Sequence, residues 1–194
     1  MTSSVRQNIN GIAALRDING AAVPISDNDP TRGTYSIFIP GVTPAATPTD
    51  ILTLQGSATK LIRVRQIIIT GIATSASNVQ MLLNRRTAPN TAGTKTNPVL
   101  VSHDPNDDAA TCTLGLYSAN PTGLGASLGI QDGGRLNLAP AANGGIDRLL
   151  LQYGWLNDKA PVLNGISDFL CIGLGGAAMP AGGSFDFSIC VSED

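Results

Sequence analysis

The chain holds a single histidine, His103, and it stands in the run Ser102-His103-Asp104-Pro105-Asn106-Asp107-Asp108. Three carboxylates and an imidazole in one loop are donors that could hold a divalent cation, and aspartate oxygens suit calcium. The spacing matches no EF-hand loop, however, and Asp-Pro-Asn-Asp is strong turn sequence, so a turn is the favoured reading. The neighbours Asp107 and Asp108 are the acid type that glycoside hydrolysis uses in pairs. On an extended segment adjacent side chains point apart, which weakens that pairing. One histidine and three well-separated cysteines, Cys112, Cys171 and Cys190, make a poor zinc site. There is no Gly-x-Ser-x-Gly, no phosphate-binding loop and no Cys-x-x-Cys pair. A Ser-His-Asp triad needs no sequence adjacency, yet nothing selects its members. The expectation is a chain that is not an enzyme and uses no cofactor or metal.

Two basic pairs remain. Arg63 and Arg65 share one side of a strongly β-branched segment, across from Ile62 and Val64, and Arg85-Arg86 ends the next apolar segment. Charged residues are only 13% of the chain, against about 25% in ordinary soluble domains. Arginines that stand out from so uncharged a background are candidates for a subunit interface, where Arg is enriched and Lys depleted. The plainer alternative is that all four solvate an outer sheet face. Twelve basic against fourteen acidic residues give a net charge of -2, with no global attraction to nucleic acid. No aromatic lies beside either pair to stack bases. Apolar runs such as 170–174 fall far short of a membrane span, and residues 1–8 lack the apolar core of a secretory signal. The expected setting is synthesis in a cytoplasm, with no membrane partner.

The elements that carry these residues follow from composition. Glu193 is the only glutamate, there are three lysines, and Gly and Pro number 22 and 12. Glutamate and lysine are what soluble helices place on their wet faces, so the chain is not built on helices. Segments 34–39, 50–55, 61–70, 79–85, 110–118, 135–138, 148–153, 169–174 and 184–191 read as strands, separated by turn residues, with a long polar excursion over 87–108. Eight to ten short strands without an internal repeat predict an all-β fold: an antiparallel β-sandwich, jelly-roll-like, over residues 34–194. Residues 1–33 differ. They carry two Asn-Gly steps and scattered apolar residues, among them Ile9, Ile12, Leu15, Val23 and Ile25. This reads as an extended N-terminal arm for attachment or assembly, with one short helical turn over Ile9, Ile12 and Leu15. A first strand plus turns belonging to the main domain is the alternative.

The last two strands show a clean alternation. Phe185, Phe187, Ile189 and Val191 form one apolar set, and Leu170, Ile172 and Leu174 form another. Joined through 175–183, they suggest an antiparallel hairpin that would bring Cys171 beside Cys190 on the opposite face. Cβ separations across such a pair are about 5 Å, somewhat long for a disulfide. Cys171 and Cys190 are thus candidates for a disulfide or for crosslinks to other chains, with inert free thiols the favoured reading. Cys112 follows the face of Leu114 and Leu116 and reads as a buried free thiol.

Five phrases of the chain stand out: Gln55-Gly-Ser-Ala-Thr-Lys-Leu-Ile-Arg-Val-Arg65, Leu83-Asn-Arg-Arg-Thr-Ala-Pro-Asn-Thr-Ala-Gly-Thr94, His103-Asp-Pro-Asn-Asp-Asp-Ala-Ala110, Tyr117-Ser-Ala-Asn-Pro121 and Met179-Pro-Ala-Gly-Gly-Ser-Phe-Asp-Phe-Ser188. Together they resemble a group of tailed-phage structural proteins. The resemblance spans residues 35–194. It implies a jelly-roll virion protein without enzymatic activity, displayed on the head or tail. It further implies a homo-oligomer, a trimer by expectation, partnered with the major capsid protein or other virion proteins. Decoration or bracing of the capsid is the expected role. A receptor- or glycan-binding tip is the alternative, with Tyr117, Tyr153 and Trp155 as its candidate aromatics.

Overall fold

A computed structural model of the chain describes residues 6–9, 12–15, 32–143, 146–154 and 159–194. Two short strands come first, β1 (Arg6–Ile9) and β2 (Ile12–Leu15), and they pair only with each other in the sheet order. Their antiparallel register sets Ile9 opposite Ile12 and Arg6 opposite Leu15. This corrects the helical turn expected over Ile9, Ile12 and Leu15. Val23 and Ile25, the other apolar residues assigned to the arm, lie outside the described residues.

The remaining strands build two sheets. They are β3 (Gly33–Val42), β4 (Leu52–Gln55), β5 (Leu61–Ile72), β6 (Ser77–Arg86), β7 (Thr94–Thr96), β8 (Val101–Ser102) and β9 (Thr113–Ala119), then β10 (Ser127–Leu138), β11 (Arg148–Gln152), β12 (Val162–Asn164), β13 (Phe169–Gly173) and β14 (Ser184–Glu193). One sheet runs β11-β5-β14-β3-β8, with β12 also on β5; the other runs β10-β6-β13-β4-β9-β7. All the pairings are antiparallel. We call them the β14 sheet and the β13 sheet. The chain changes sheet at each step from β3 to β6, into β8 and back into β9, from β10 to β11, and again into β13 and into β14. β14 ends up between β3 and β5, and β13 between β4 and β6. The result is the antiparallel, jelly-roll-like sandwich expected from the strand pattern.

The core is the set of inward positions of both sheets. Phe185, Phe187, Ile189 and Val191 are buried, and so are Leu170, Ile172 and Leu174. They do not lie side by side in one hairpin, as the sequence suggested. β13 and β14 belong to opposite sheets, so their apolar sets meet across the core. The glycine-rich link after Leu174 is long enough to cross the sandwich, and crossing lets each set pack on the other instead of flanking it. Ile62, Val64, Ile67 and Ile69 of β5 and Val79, Met81 and Leu83 of β6 complete the interior.

One glycine shows how tightly the β13 sheet is overlaid. A Cβ added at Gly173 would sit 1.8 Å from the Thr49 carbonyl oxygen. Residues 46–51 run along β13 there: Ile51 N–H donates to Ile172 O at 2.7 Å and Gly176 N–H to Pro48 O at 2.9 Å. That approach brings Asp50 over the sheet's outer face.

Candidate functional site

The charged residues gather where strands end. Glu193 occupies an inward position at the end of β14 and is buried. A buried carboxylate must be hydrogen-bonded or it costs several kcal/mol. Glu193 accepts from Thr111 N–H at 2.8 Å, Cys112 N–H at 3.1 Å and Thr111 Oγ1 at 2.9 Å. Lys60 Nζ lies 3.5 Å away. The lone glutamate therefore stitches the β14 sheet to the segment that enters β9 in the other sheet. Burial, and then the Glu193 charge, push the Cys112 thiol up to about 12. Next to it, Asp194 pairs with both Arg32 and Arg63. These groups line an open cleft of about 690 Å³ together with Tyr35, Asp107 and Asp108. Its acids and bases largely neutralise one another, so it is better suited to clamping the strand ends than to gripping a charged ligand.

Of the four arginines expected at an interface, Arg63, Arg85 and Arg86 form ion pairs within the chain. Arg86 is 5% exposed, which corrects its reading as a surface residue. Its Nε and Nη2 donate to the two Asp50 oxygens at 2.8 and 3.0 Å, and Nη1 donates to Gly125 O at 2.8 Å. Asn90 Nδ2 donates to Asp50 Oδ2 at 2.7 Å, while its Oδ1 accepts from Gly125 N–H at 2.9 Å. Burial alone would lower the Arg86 pKa, but the bonds and charge of Asp50 raise it overall. Arg85, one residue earlier and on the inward side, is half-covered and pairs with Asp168 and with the Val162 carbonyl of β12. It bridges the two sheets at the end where Glu193 does the same. Arg63 holds Asp194 as described. Arg65 takes the extra position of a bulge, since Cys190 pairs with Gln66 and Val191 with Val64.

The cysteines separate likewise. Cys171 and Cys190 lie on strands of opposite sheets, and all three cysteines are free. This corrects the intrachain disulfide candidate: both side chains point outward, and stacked sheets are about 10 Å apart with the core between them. Cys171 is 1% exposed, roofed by the Asp50–Arg86 pair, and burial raises its thiol pKa. Cys190 is half-buried on the other outer face, raised by burial and lowered by Arg65. Cys112 is buried, as its face predicted.

The His103 loop is a turn. Asp104 Oδ1 accepts from Asn106 N–H at 2.9 Å, and Asp107 N–H donates to Asp104 O at 3.1 Å. Asp107 Oδ2 accepts from Ser102 Oγ at 3.1 Å. Among the described residues no group of three His, Cys, Asp or Glu side chains is arranged to hold a metal ion. His103 Nε2 shares a 2.9 Å hydrogen bond with Ser36 Oγ. The described residues supply no carboxylate to orient the imidazole, and the pair is exposed rather than set in a pocket. Of the aromatics proposed for ligand binding, Tyr117 is buried with Lys95 Nζ 6.0 Å above its ring. Tyr153 donates to Asp132 Oδ2 at 2.8 Å. Trp155 lies outside the described residues.

What the surface does present is apolar. Across the outer face of the β14 sheet, Phe38, Ser188, Ile68 and Leu150 stand in one register row, with Val101 beside Ser36 in the next. Phe38 is 64% exposed and Val101 66%. On the other sheet, Leu128 and Ile130 of β10 are exposed beside Leu124. Ile130 and Leu124 rim a recess of about 330 Å³ whose floor includes Asp50 and Arg86. Sequence reasoning missed both surfaces. Segment 34–39 reads as a strand, but only the register aligns its Phe38 with Ile68 and Leu150, and the glycines of 123–134 hid the first half of β10. No family model, no curated protein and no solved structure matches the chain.

Proposed function

We propose that the chain is a bacteriophage virion structural protein, a capsid decoration or accessory subunit that works by assembly and not by chemistry. One observation carries the reading. The strongest ionic contacts are internal ties between strand ends, while apolar side chains stand on outer faces. Exposed apolar rows of this kind mark surfaces that other protein covers. The phage assignment comes from the sequence phrases of residues 35–194, and the sandwich agrees with the fold those phrases imply. In this reading residues 1–33 attach the subunit to the particle, and the sandwich supplies contacts to further copies, a trimer by expectation, and to the major capsid protein.

The test is deletion of residues 1–33, with incorporation into particles measured by gradient co-sedimentation. The truncated protein should fold, oligomerise as before and fail to co-sediment. Normal incorporation would overturn the attachment role. Failure of the intact chain to associate with particles would overturn the virion assignment itself.

A further inference from the structure

We infer that Asn164-Gly165, where β12 ends, is a modification site: in the folded chain Asn164 converts without an enzyme to aspartate and isoaspartate. The reaction needs an amide side chain free to turn back on its own backbone, an unshielded nitrogen in the next residue, and water. Asn164 is exposed, and its side-chain amide makes no hydrogen bond among the described residues. Gly165 has no side chain to cover its nitrogen; its φ is +83°, and nothing lies within 4 Å of where a Cβ would stand. Its N–H finds no acceptor among the described residues. The ladder of β12 with β5 ends at Asn164, opposite Leu61. Beyond it the chain turns: Asn164 N–H donates to Asp168 Oδ2 at 3.1 Å, and Gly165 O accepts from Asp168 N–H at 3.2 Å. Asn78, Asn137, Asn90 and Asn120 make the contrast. The first two hold each other at 2.8 Å, the other two are tied to residues 47–50, and glycine follows none of the four.

The Gly165 nitrogen, on losing its proton to solvent base, attacks Asn164 Cγ. The new C–N bond closes a succinimide ring, and the Cγ–Nδ2 bond breaks to release ammonia. One water then opens the ring. Opening at Cγ leaves aspartate; opening at the Asn164 backbone carbonyl leaves isoaspartate, with the main chain routed through the side chain. The position matters because the same turn carries a tie between the sheets. Asp168 accepts from Asn164 N–H and, at 3.0 Å, from Arg85 Nε, while Arg85 also donates to Val162 O. A carboxylate at 164 adds a like charge to that turn, and isoaspartate adds a methylene to the main chain between Val162 and Asp168. Both loosen the grip of Arg85, so the tie weakens as the chain ages. This needs no partner and stands apart from the assembly reading.

The test ages the full chain at pH 8 and at pH 5, then digests it in acid and weighs the peptides. Peptide mapping separates residue 164 from Asn10, Asn19 and Asn143, which glycine also follows. Acid should accumulate at 164, faster at pH 8 because the attacking nitrogen must lose its proton, and isoaspartyl methyltransferase should label that peptide. Conversion there should outrun Asn78 and Asn137 by about tenfold or more, a barrier lower by about 1.4 kcal/mol. Asn164→Gln, whose longer side chain closes its ring far more slowly, should remove both signals while circular dichroism shows it folded. Conversion at 164 in urea but not in the native chain overturns the inference, because the fold then protects the site. The urea midpoint of the parent chain should fall with age, and that of Asn164→Gln should hold. Conversion without that fall overturns the link to Arg85.

Discussion

The two sheets treat their outer faces in opposite ways. Over the β13 sheet, residues 46–51, 87–90 and the turn at Gly125 close down on the strands and bury Arg86, Asp50 and Cys171. Over the β14 sheet, among the described residues, nothing comparable lies on Phe38, and Cys190 keeps partial exposure. Each outer face thus carries an outward arginine, Arg86 on one and Arg63 on the other, and one cysteine, and each gives them a different fate. Outward on a strand does not mean in water. What decides is whether a loop returns across that strand, and that is settled by segments far away in sequence.

The comparison breaks most directly at Arg86. Replacing it by Met should leave the Asp50 carboxylate buried without its ion pair, a loss of about 3–5 kcal/mol in urea denaturation. Pairing Arg86→Met with Asp50→Asn should recover part of that loss, because the uncompensated charge is gone. Arg63→Ala, on the bare sheet, should cost no more than about 1 kcal/mol, since its pair with Asp194 is partly solvated. Similar losses for Arg86 and Arg63 would show that the cover does not seal the β13 face.

Thiol chemistry sharpens the same contrast. At pH 8 a thiol reagent should label Cys190 in the native chain, slowly, and reach Cys171 and Cys112 only on unfolding. The buried thiols also set a pH limit. A thiol whose folded pKa is raised stabilises the fold fully below its unfolded value near 9 and loses that contribution as pH climbs toward the folded value, about 12 for Cys112. Stability should therefore decline above pH 9, and Cys112→Ala should flatten that decline in thermal melts taken from pH 8 to 11. The smallest effect is expected for Phe38→Ser: within about 0.5 kcal/mol in stability, because the side chain already faces water.

Much of the sandwich was legible because strands with one wet face must alternate. Phe185 through Val191 declared their inward set, and β5 declared itself by its density of isoleucine and valine. Which strand pairs with which was not legible. The alternation of β13 and β14 is the same whether the two lie side by side or face each other, and only the other strands competing for their edges decide it. The early half of β10 was hidden by its glycines, and β12 by its three-residue length. The ion pairs escaped for a related reason: Asp50 and Arg86, or Arg85 and Asp168, meet only once the topology exists. Composition gave the type of surface, and register gave its geography.

The central position of β14 has a consequence for how the molecule comes into being. This strand joins β3 to β5, and its partner positions on β3 lie some 150 residues earlier in the chain. During synthesis β3 and β5 leave the ribosome long before the segment that must fit between them. Until residue 193 is made, both present open edges to solvent, and the nascent chain can only hold a partial sandwich. Contacts of such sequence separation also slow folding, because the loop must close before any pairing rewards it. The vulnerable period is thus the interval before the last central strand arrives, when chaperone binding or premature edge association competes with completion of the sheet.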